Sequence, residues 1–296
     1  MAARFGNQSR TSFVIATRDR AAELSSVLQR LLNSTKCPIV VVDNNSRDDS
    51  VRSATRIAEQ AAGRVTVVPL TRNEGAVARN VGVAQCDTPY VAFCDDDSWW
   101  SPDAIERGES VFDEYPTVAV LAARTVMWPQ QQDDPFVALL ANSPLGHDPS
   151  LPGPSILGFQ ACSAVVRKNA FEEVGGFNPI LHFRGEEALL SWDLAARGWD
   201  LCFCGALVAY HQPSATRKPS QVEQARVRRN DALTAWLRRP ASRCWQAGSE
   251  LVRAAAHDRA HAKALLEALA VLPAVLRERH RLPEPVERSV RLLESH

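Results

Sequence analysis

Tyr90-Val91-Ala92-Phe93-Cys94-Asp95-Asp96-Asp97-Ser98-Trp99-Trp100 decides how the rest of this chain is read. Five mostly apolar residues make a run of buried-strand length, and three carboxylates follow at its C-terminal end with no cation between them. Adjacent acids repel one another and resist losing water, so a folded chain keeps such a cluster where a metal ion or several donors offset the charge. Hard divalent cations, Mg2+ and Mn2+, choose carboxylate oxygens and are shared with substrate phosphates, which makes a nucleotide diphosphate the first ligand to consider. Taken alone, the triplet reads equally well as an acidic strand-to-helix loop, with Ser98 or Ser101 capping a helix announced by Pro102.

Outward from this stretch, strand and helix signals alternate. Phe13 to Ala16 is a short apolar run, followed by Thr17-Arg18-Asp19 and a helical spacing through Leu24, Leu28, Leu31 and Leu32. Pro38 to Val42 reads as a second strand that ends on Asp43-Asn44-Asn45-Ser46, with a helix from about Asp48. Val65 to Leu70 is a third strand, and Thr71-Arg72-Asn73-Glu74-Gly75 leads into a helix of small residues through Ala76, Arg79, Asn80 and Val83. The triplet closes the fourth strand, and Pro102 to Tyr115 makes the next helix. The alternation predicts an α/β fold with a mostly parallel sheet, helices on both faces and right-handed crossovers. Ligands of such sheets bind beyond the carboxyl ends of the strands, where Thr17, Asp43, Arg79 and Asp95 to Asp97 all fall.

Downstream the character changes. Residues 128–154, rich in Pro, Gln, Asp and Ser, predict a long mobile loop with one apolar patch at Phe136 to Leu140. A strand follows over Gly158 to Arg167, then a short helix ending at Gly175-Gly176-Phe177. The next helix carries Glu186 and Glu187 in its first turn, where carboxylates complement the helix dipole without any further role. Leu201 to Tyr210 reads as a strand or two delivering His211 into a loop. From Pro219 onward the pattern is helical over Val222 to Leu237, Cys244 to Leu276 and Val286 to Leu293. The expected organisation is a domain at 1–215, with halves at about 11–124 and 155–215, and a helical appendage at 216–296.

The 296 residues are 45% hydrophobic, ample for a sizeable core, and 34 basic residues balance 34 acidic ones, so no global field argues for nucleic acid. The balance is local: from Arg217 to His296 there are 16 Lys+Arg against 9 Asp+Glu, an excess of +7. Such a patch suits solvated helix faces, an anionic membrane surface or a phosphorylated substrate. Seven cysteines, an odd number without a C-x-x-C pair, fit buried reduced thiols in a cytoplasmic protein. Neither an N-terminal apolar leader nor an apolar run long enough to span a bilayer is legible, so the expectation is a cytoplasmic protein that is at most membrane-peripheral.

Taken as one series, VVVDNNSRDDS, RNEGAVARNVGV, FCDDD, VGGFN and GEEALL resemble the family 2 glycosyltransferases of the GT-A (Rossmann-like) fold, over about Thr11 to His211. The resemblance implies transfer of a sugar, a hexose or deoxyhexose, from a nucleoside-diphosphate sugar to an acceptor hydroxyl with inversion. It implies that Asp95 holds ribose or metal and that Asp97, with Asp95 and His211, ligates Mg2+ or Mn2+. Thr17, Arg18, Asp43, Asn45, Arg79 and Asp96 would line the donor nucleotide site. Where relatives carry Glu-Asp, this chain has Glu186-Glu187; Glu187 aligns with the usual base, and the substitution leaves Glu186 open as the alternative. The proline commonly found before the strand-one threonine is replaced by Ala16. Two other readings stand beside this one. A sugar nucleotidyltransferase would need a glycine-rich phosphate loop, and Thr17 to Ala22 has no glycine; a catalytically silent nucleotide-sugar or carbohydrate binding protein would not need the acids. The acceptor is unknown from the sequence, and a homodimer is an open expectation.

Overall fold

The computed structural model describes residues 9–213 and 220–295. The first half alternates β1 (Thr11–Thr17), α1 (Ala21–Ser34), β2 (Ile39–Asp43), α2 (Ser50–Gln60), β3 (Val65–Pro69), α3 (Ala78–Ala84), β4 (Tyr90–Cys94), β5 (Ser98–Trp100) and α4 (Ala104–Glu114). Next come β6 (Val118–Met127), β7 (Gln132–Asp133), α5 (Pro135–Ala141), β8 (Ala164–Arg167), α6 (Lys168–Glu173), α7 (Glu186–Ala196) and β9 (Asp200–His211). Helices α8 (Gln221–Arg238), α9 (Ala241–Ala255), α10 (Arg259–Ala270), α11 (Leu272–Glu278) and α12 (Glu284–Glu294) close the chain.

The apolar strands are continuous because both faces of the sheet are covered. Phe13 and Ile15 of β1 share a core with Leu24, Leu28 and Leu31 of α1 and Phe112 of α4. Val14, between them, faces the other way, into a core with Val83 of α3, Phe171 of α6 and Leu190 of α7. Gly82 permits the close approach of α3, since a Cβ there would lie 2.5 Å from Val14 Cγ1.

Strand order is β3-β2-β1-β4-β8-β6-β9-β5, with β7 on β6. The expected parallel arrangement holds for β3-β2-β1-β4 and for β6 with β9. Strand β8 enters antiparallel between β4 and β6, and β5 pairs antiparallel with β9, so the sheet is mixed. The registers place the chemistry on one edge: Thr17 lies opposite Asp43, Ile15 opposite Cys94, and Ser98 opposite His211.

Several expectations need correction. Residues 128–154 are not a mobile loop: β6 runs on to Met127, β7 returns as a hairpin, and α5 starts where the Asp134 carboxylate accepts the Phe136 N–H, with Pro135 in the first turn. Val137 and Leu140 are buried, and the Ser143 hydroxyl donates to the Ser155 carbonyl at 2.6 Å. The composition suggested a loop, but the apolar patch had helical spacing and a cap. Only Ala164–Arg167 of the strand expected over 158–167 forms, because the backbone before it is engaged elsewhere: Ile156 N–H bonds the Leu201 carbonyl and residues 161–163 make a 3-10 turn. Neither Ser98 nor Ser101 caps α4: Ser98 belongs to β5, and the Ser101 hydroxyl donates to Asp103, the residue before the helix. The helix expected over 244–276 is three helices, with Asp258 capping α10 through the His261 N–H and Pro273 in the first turn of α11.

Helices α8 to α11 pack through Leu233, Leu237, Leu251, Ala268 and Val275 against Ile180, Leu181 and Leu189. Polar contacts fasten the same face. The Asn230 amide donates to the carbonyls of Leu181, Phe183 and Arg184, Arg238 bridges to Asp193, and Arg239 pairs with buried Glu287 at 2.8 Å. The junction expected at residues 215–216 lies outside the described residues. No helix among the described residues is long and apolar enough to cross a membrane.

Candidate active site

Each carboxylate of the triplet meets a donor of its own. Asp95 Oδ1 accepts from Arg79 Nη2 at 2.6 Å. Arg79 stands on α3, buried, with its guanidinium 6.0 Å from the Phe177 ring centroid. Burial works against the arginine's charge, but Asp95 outweighs it and keeps the guanidinium protonated. Asp96 accepts from the Thr17 hydroxyl at 2.8 Å and lies 3.3 Å from Arg20 Nε. Burial pushes the Asp96 carboxyl up to about 7, against the pull of Thr17 and Arg20. Asp97 pairs with Arg20 Nη2 at 3.0 Å, and its other oxygen lies 3.4 Å from His211 Nε2. Burial opposes charge on His211, and the Asp97 carboxylate prevails, so the imidazole's pKa is raised. The Gln212 N–H donates to the Asp97 carbonyl at 2.8 Å, strapping the end of β9 to the triplet.

Beside the triplet the ends of β1 and β2 face the same edge. Asp43 is buried; one carboxylate oxygen accepts the Ser46 N–H at 2.9 Å, and Oδ1 has no hydrogen-bond partner among the described residues. Such an orphaned acceptor has the form of a group completed by a ligand donor. Arg18 lies 3.6 Å from Asp19 and Asn45 takes a left-handed φ of 63°, both on the loops leaving these strands. Sequence reasoning missed Asn44, whose buried amide accepts the Glu74 N–H at 2.7 Å and donates to the Gly75 carbonyl at 3.0 Å. Its place directly after a buried strand was the available signal. Asn80 was seen only as part of a motif; its amide brackets the Phe177 backbone, donating to the carbonyl and accepting the N–H, each at 2.9 Å.

Glu186 and Glu187 sit in the first turn of α7, after Gly185 at φ 83°. Glu186 is buried and its Oε2 has no hydrogen-bond partner among the described residues. Burial raises both carboxyls above the usual range; each is drawn back by Arg79, and the Asp95 charge adds to the rise at Glu187. Arg79 therefore acts on both acid clusters. The loop before α7 is held against the turn at Gly75: the Ala76 N–H bonds the His182 carbonyl at 2.6 Å, and a Cβ on Gly75, at φ +61°, would lie 2.1 Å from that oxygen.

The tryptophans divide. Trp100 is core, its indole N–H on the Phe93 carbonyl, and Trp192 packs with α12 under Arg239. Trp99 stacks on Tyr210 and walls a cleft of about 440 Å³ beside Asp96, Asp97 and Gln212.

Known proteins share this mixed α/β sheet. The model of "Glycosyl transferase family 2" matches residues 12–175, and the chain belongs to that family. It is 32% identical over 193 residues to the pre-mycofactocin glycosyltransferase of Mycobacterium tuberculosis, covering 62% of this chain and 39% of that relative, so the chain spans well under half of its length. Among solved structures, the mannosyltransferase PcManGT from Pyrobaculum calidifontis, in complex with GDP-Man and Mn2+, superposes with a TM-score of 0.59 at 18% identity, over 97% of this chain and 86% of that one. S. aureus TarS 1-349 in complex with UDP-GlcNAc gives 0.56 at 15%, over 93% and 82%. At such identities the likeness shows the fold, which is GT-A.

Proposed function

We propose that the chain is an inverting, metal-dependent glycosyltransferase that moves a sugar from a nucleoside-diphosphate sugar to an acceptor hydroxyl. The observation that carries this reading is the convergence of Asp95, Asp97 and His211 with the Glu186-Glu187 pair around Arg79 at one sheet edge. Relatives support the donor class, since those neighbours hold GDP-Man and UDP-GlcNAc.

Thr17, Arg18, Asp43, Asn45 and Arg79 would receive base and ribose, the unpartnered Asp43 oxygen accepting a ligand hydroxyl or amine. Oxygen and imidazole donors on Asp97 and His211 fit a hard divalent ion. No three His, Cys, Asp or Glu side chains close around one point among the described residues, so donor phosphates would complete the coordination. A bound Mg2+ or Mn2+ would neutralise charge developing on the diphosphate leaving group. Glu187, raised by burial and therefore a stronger base than a free carboxylate, takes the acceptor hydroxyl's proton as its oxygen attacks the anomeric carbon opposite the diphosphate. The test is thermal shift with UDP, GDP and TDP sugars, with and without Mn2+, followed by transfer and hydrolysis assays. Stabilisation by one nucleotide sugar that depends on the metal, with turnover, is expected. Binding without any turnover would leave a silent binding protein, and no binding would sink the reading.

A further inference from the structure

Far along the chain from the acid clusters, α9, α10 and α11 enclose a groove of about 790 Å³ that is lined almost wholly by apolar side chains. Trp245 and Val252 come from one face of α9, seven residues apart, and Leu269 and Leu276 from α10 and α11, again seven apart. Seven residues is close to two helical turns, so Trp245 and Val252 form a ridge on α9, and Leu269 and Leu276 line the groove each from its own helix. These side chains are 80%, 54%, 48% and 65% exposed, and contiguous apolar surface of this kind marks a contact site.

The charges along the groove decide what it fits. Its two ionisable cations, Arg253 and Arg279, bond only neutral groups among the described residues. Arg253 donates to the Ser249 carbonyl and hydroxyl, and Arg279 to the carbonyls of Trp236 and Arg239 and to Cys244 Sγ. No carboxylate lines the groove, whereas nearby Arg239 and Arg243 are both ion-paired. An isologous pairing of two copies would bring these uncompensated arginines onto one interface with no acid to meet them. An anionic bilayer supplies both missing halves, with hydrocarbon for the apolar side chains and phosphate for Arg253, and tryptophan suits the headgroup depth.

We propose that this groove is a membrane-docking face that seats the chain on an anionic lipid surface, with Trp245 and Leu276 inserted and Arg253 at the phosphates. The inference is independent of the donor reading. The test is co-sedimentation of the full chain with vesicles of phosphatidylcholine alone or with about a third phosphatidylglycerol. Binding to the anionic vesicles is expected, weakened by salt and at least about tenfold weaker to neutral ones. Trp245→Ser with Leu276→Ser should abolish it, and Arg253→Ala alone should weaken it about fivefold. All three side chains are exposed, and an unchanged thermal midpoint would confirm folding. Failure to sediment with anionic vesicles, equal binding to neutral ones, or binding retained in the double serine variant overturns the proposal. So does a dimer in analytical ultracentrifugation that the double variant dissolves, which would show that a second copy covers the face.

Discussion

Two acid clusters stand at the same sheet edge and are treated in opposite ways. In the Asp95 to Asp97 triplet every carboxylate meets a donor or cation: Arg79, Thr17 and Arg20, and Arg20 with His211. The Glu186-Glu187 pair is managed by burial, with one oxygen of Glu186 left without a partner and both carboxyls raised. Asp95 and Asp97 face cations, an arrangement that suits holding a ligand's cation, whereas Asp96 is raised by burial to about 7, as the glutamates are raised. A cluster stripped of water is arranged to accept a proton. On the proposed reading, the difference would separate binding from proton transfer using a single type of functional group.

The comparison can be broken most directly at Glu187. Glu187→Gln should lower kcat about a thousandfold while leaving donor affinity, measured by thermal shift, unchanged, with Glu186→Gln costing about tenfold. The reverse order would move the base to Glu186. Asp97→Asn should do the opposite, weakening metal-supported donor binding by about a hundredfold in calorimetric titration. Metal-supported affinity that survives the change would remove the triplet from the metal's site. Arg79→Met tests the shared cation: Asp95 would lose its guanidinium partner, and stability should fall by about 2 kcal/mol in urea denaturation. Gly75→Ala should lose about 1 to 3 kcal/mol, because the alanine would hold a left-handed backbone and press on the His182 carbonyl.

The smallest expected effect carries the clearest sign. Because the folded-state pKa values of Glu186 and Glu187 are raised, the folded chain binds protons more tightly than the unfolded one, and their contribution to stability is lost as pH rises through the raised values. Activity runs the other way, falling as pH drops and the base becomes protonated. Glu186→Gln should therefore melt higher than the parent at pH 8, by on the order of 1 kcal/mol, and show no such gain at pH 4. A variant that melts lower at pH 8 would mean that the pair is matched by partners, as the triplet is.

Much of this was legible in the sequence, for identifiable reasons. The strands β1, β2 and β4 are continuous apolar runs because helices cover both faces, so Asp43 and Asp95 could be placed at their ends from pattern alone. Arg20 could not be read as a partner of the triplet, because 76 or more positions of chain separate them and only the register of β1 with β4 brings them together. The burial of Glu186 was hidden for the same reason, since an acid in a first helical turn is ordinarily solvated. In residues 128–154 a polar composition masks the helical spacing of α5, and after Cys244 the Asp258 cap and Pro273 divide what is otherwise one continuous helical pattern.

The position of β8 has a consequence for how the molecule is made. Strand β4 is flanked by β1 on one side and on the other by β8, whose residues come 70 and more positions later. Until that strand arrives, β4 presents a naked edge of buried-type residues to any passing chain. The parallel half is thus not a module that can mature first and wait; its last strand is completed only by closing a long loop, a slow and aggregation-exposed step in folding. Truncation near residue 124, where the sequence suggested a natural boundary, would freeze the chain in that half-made state.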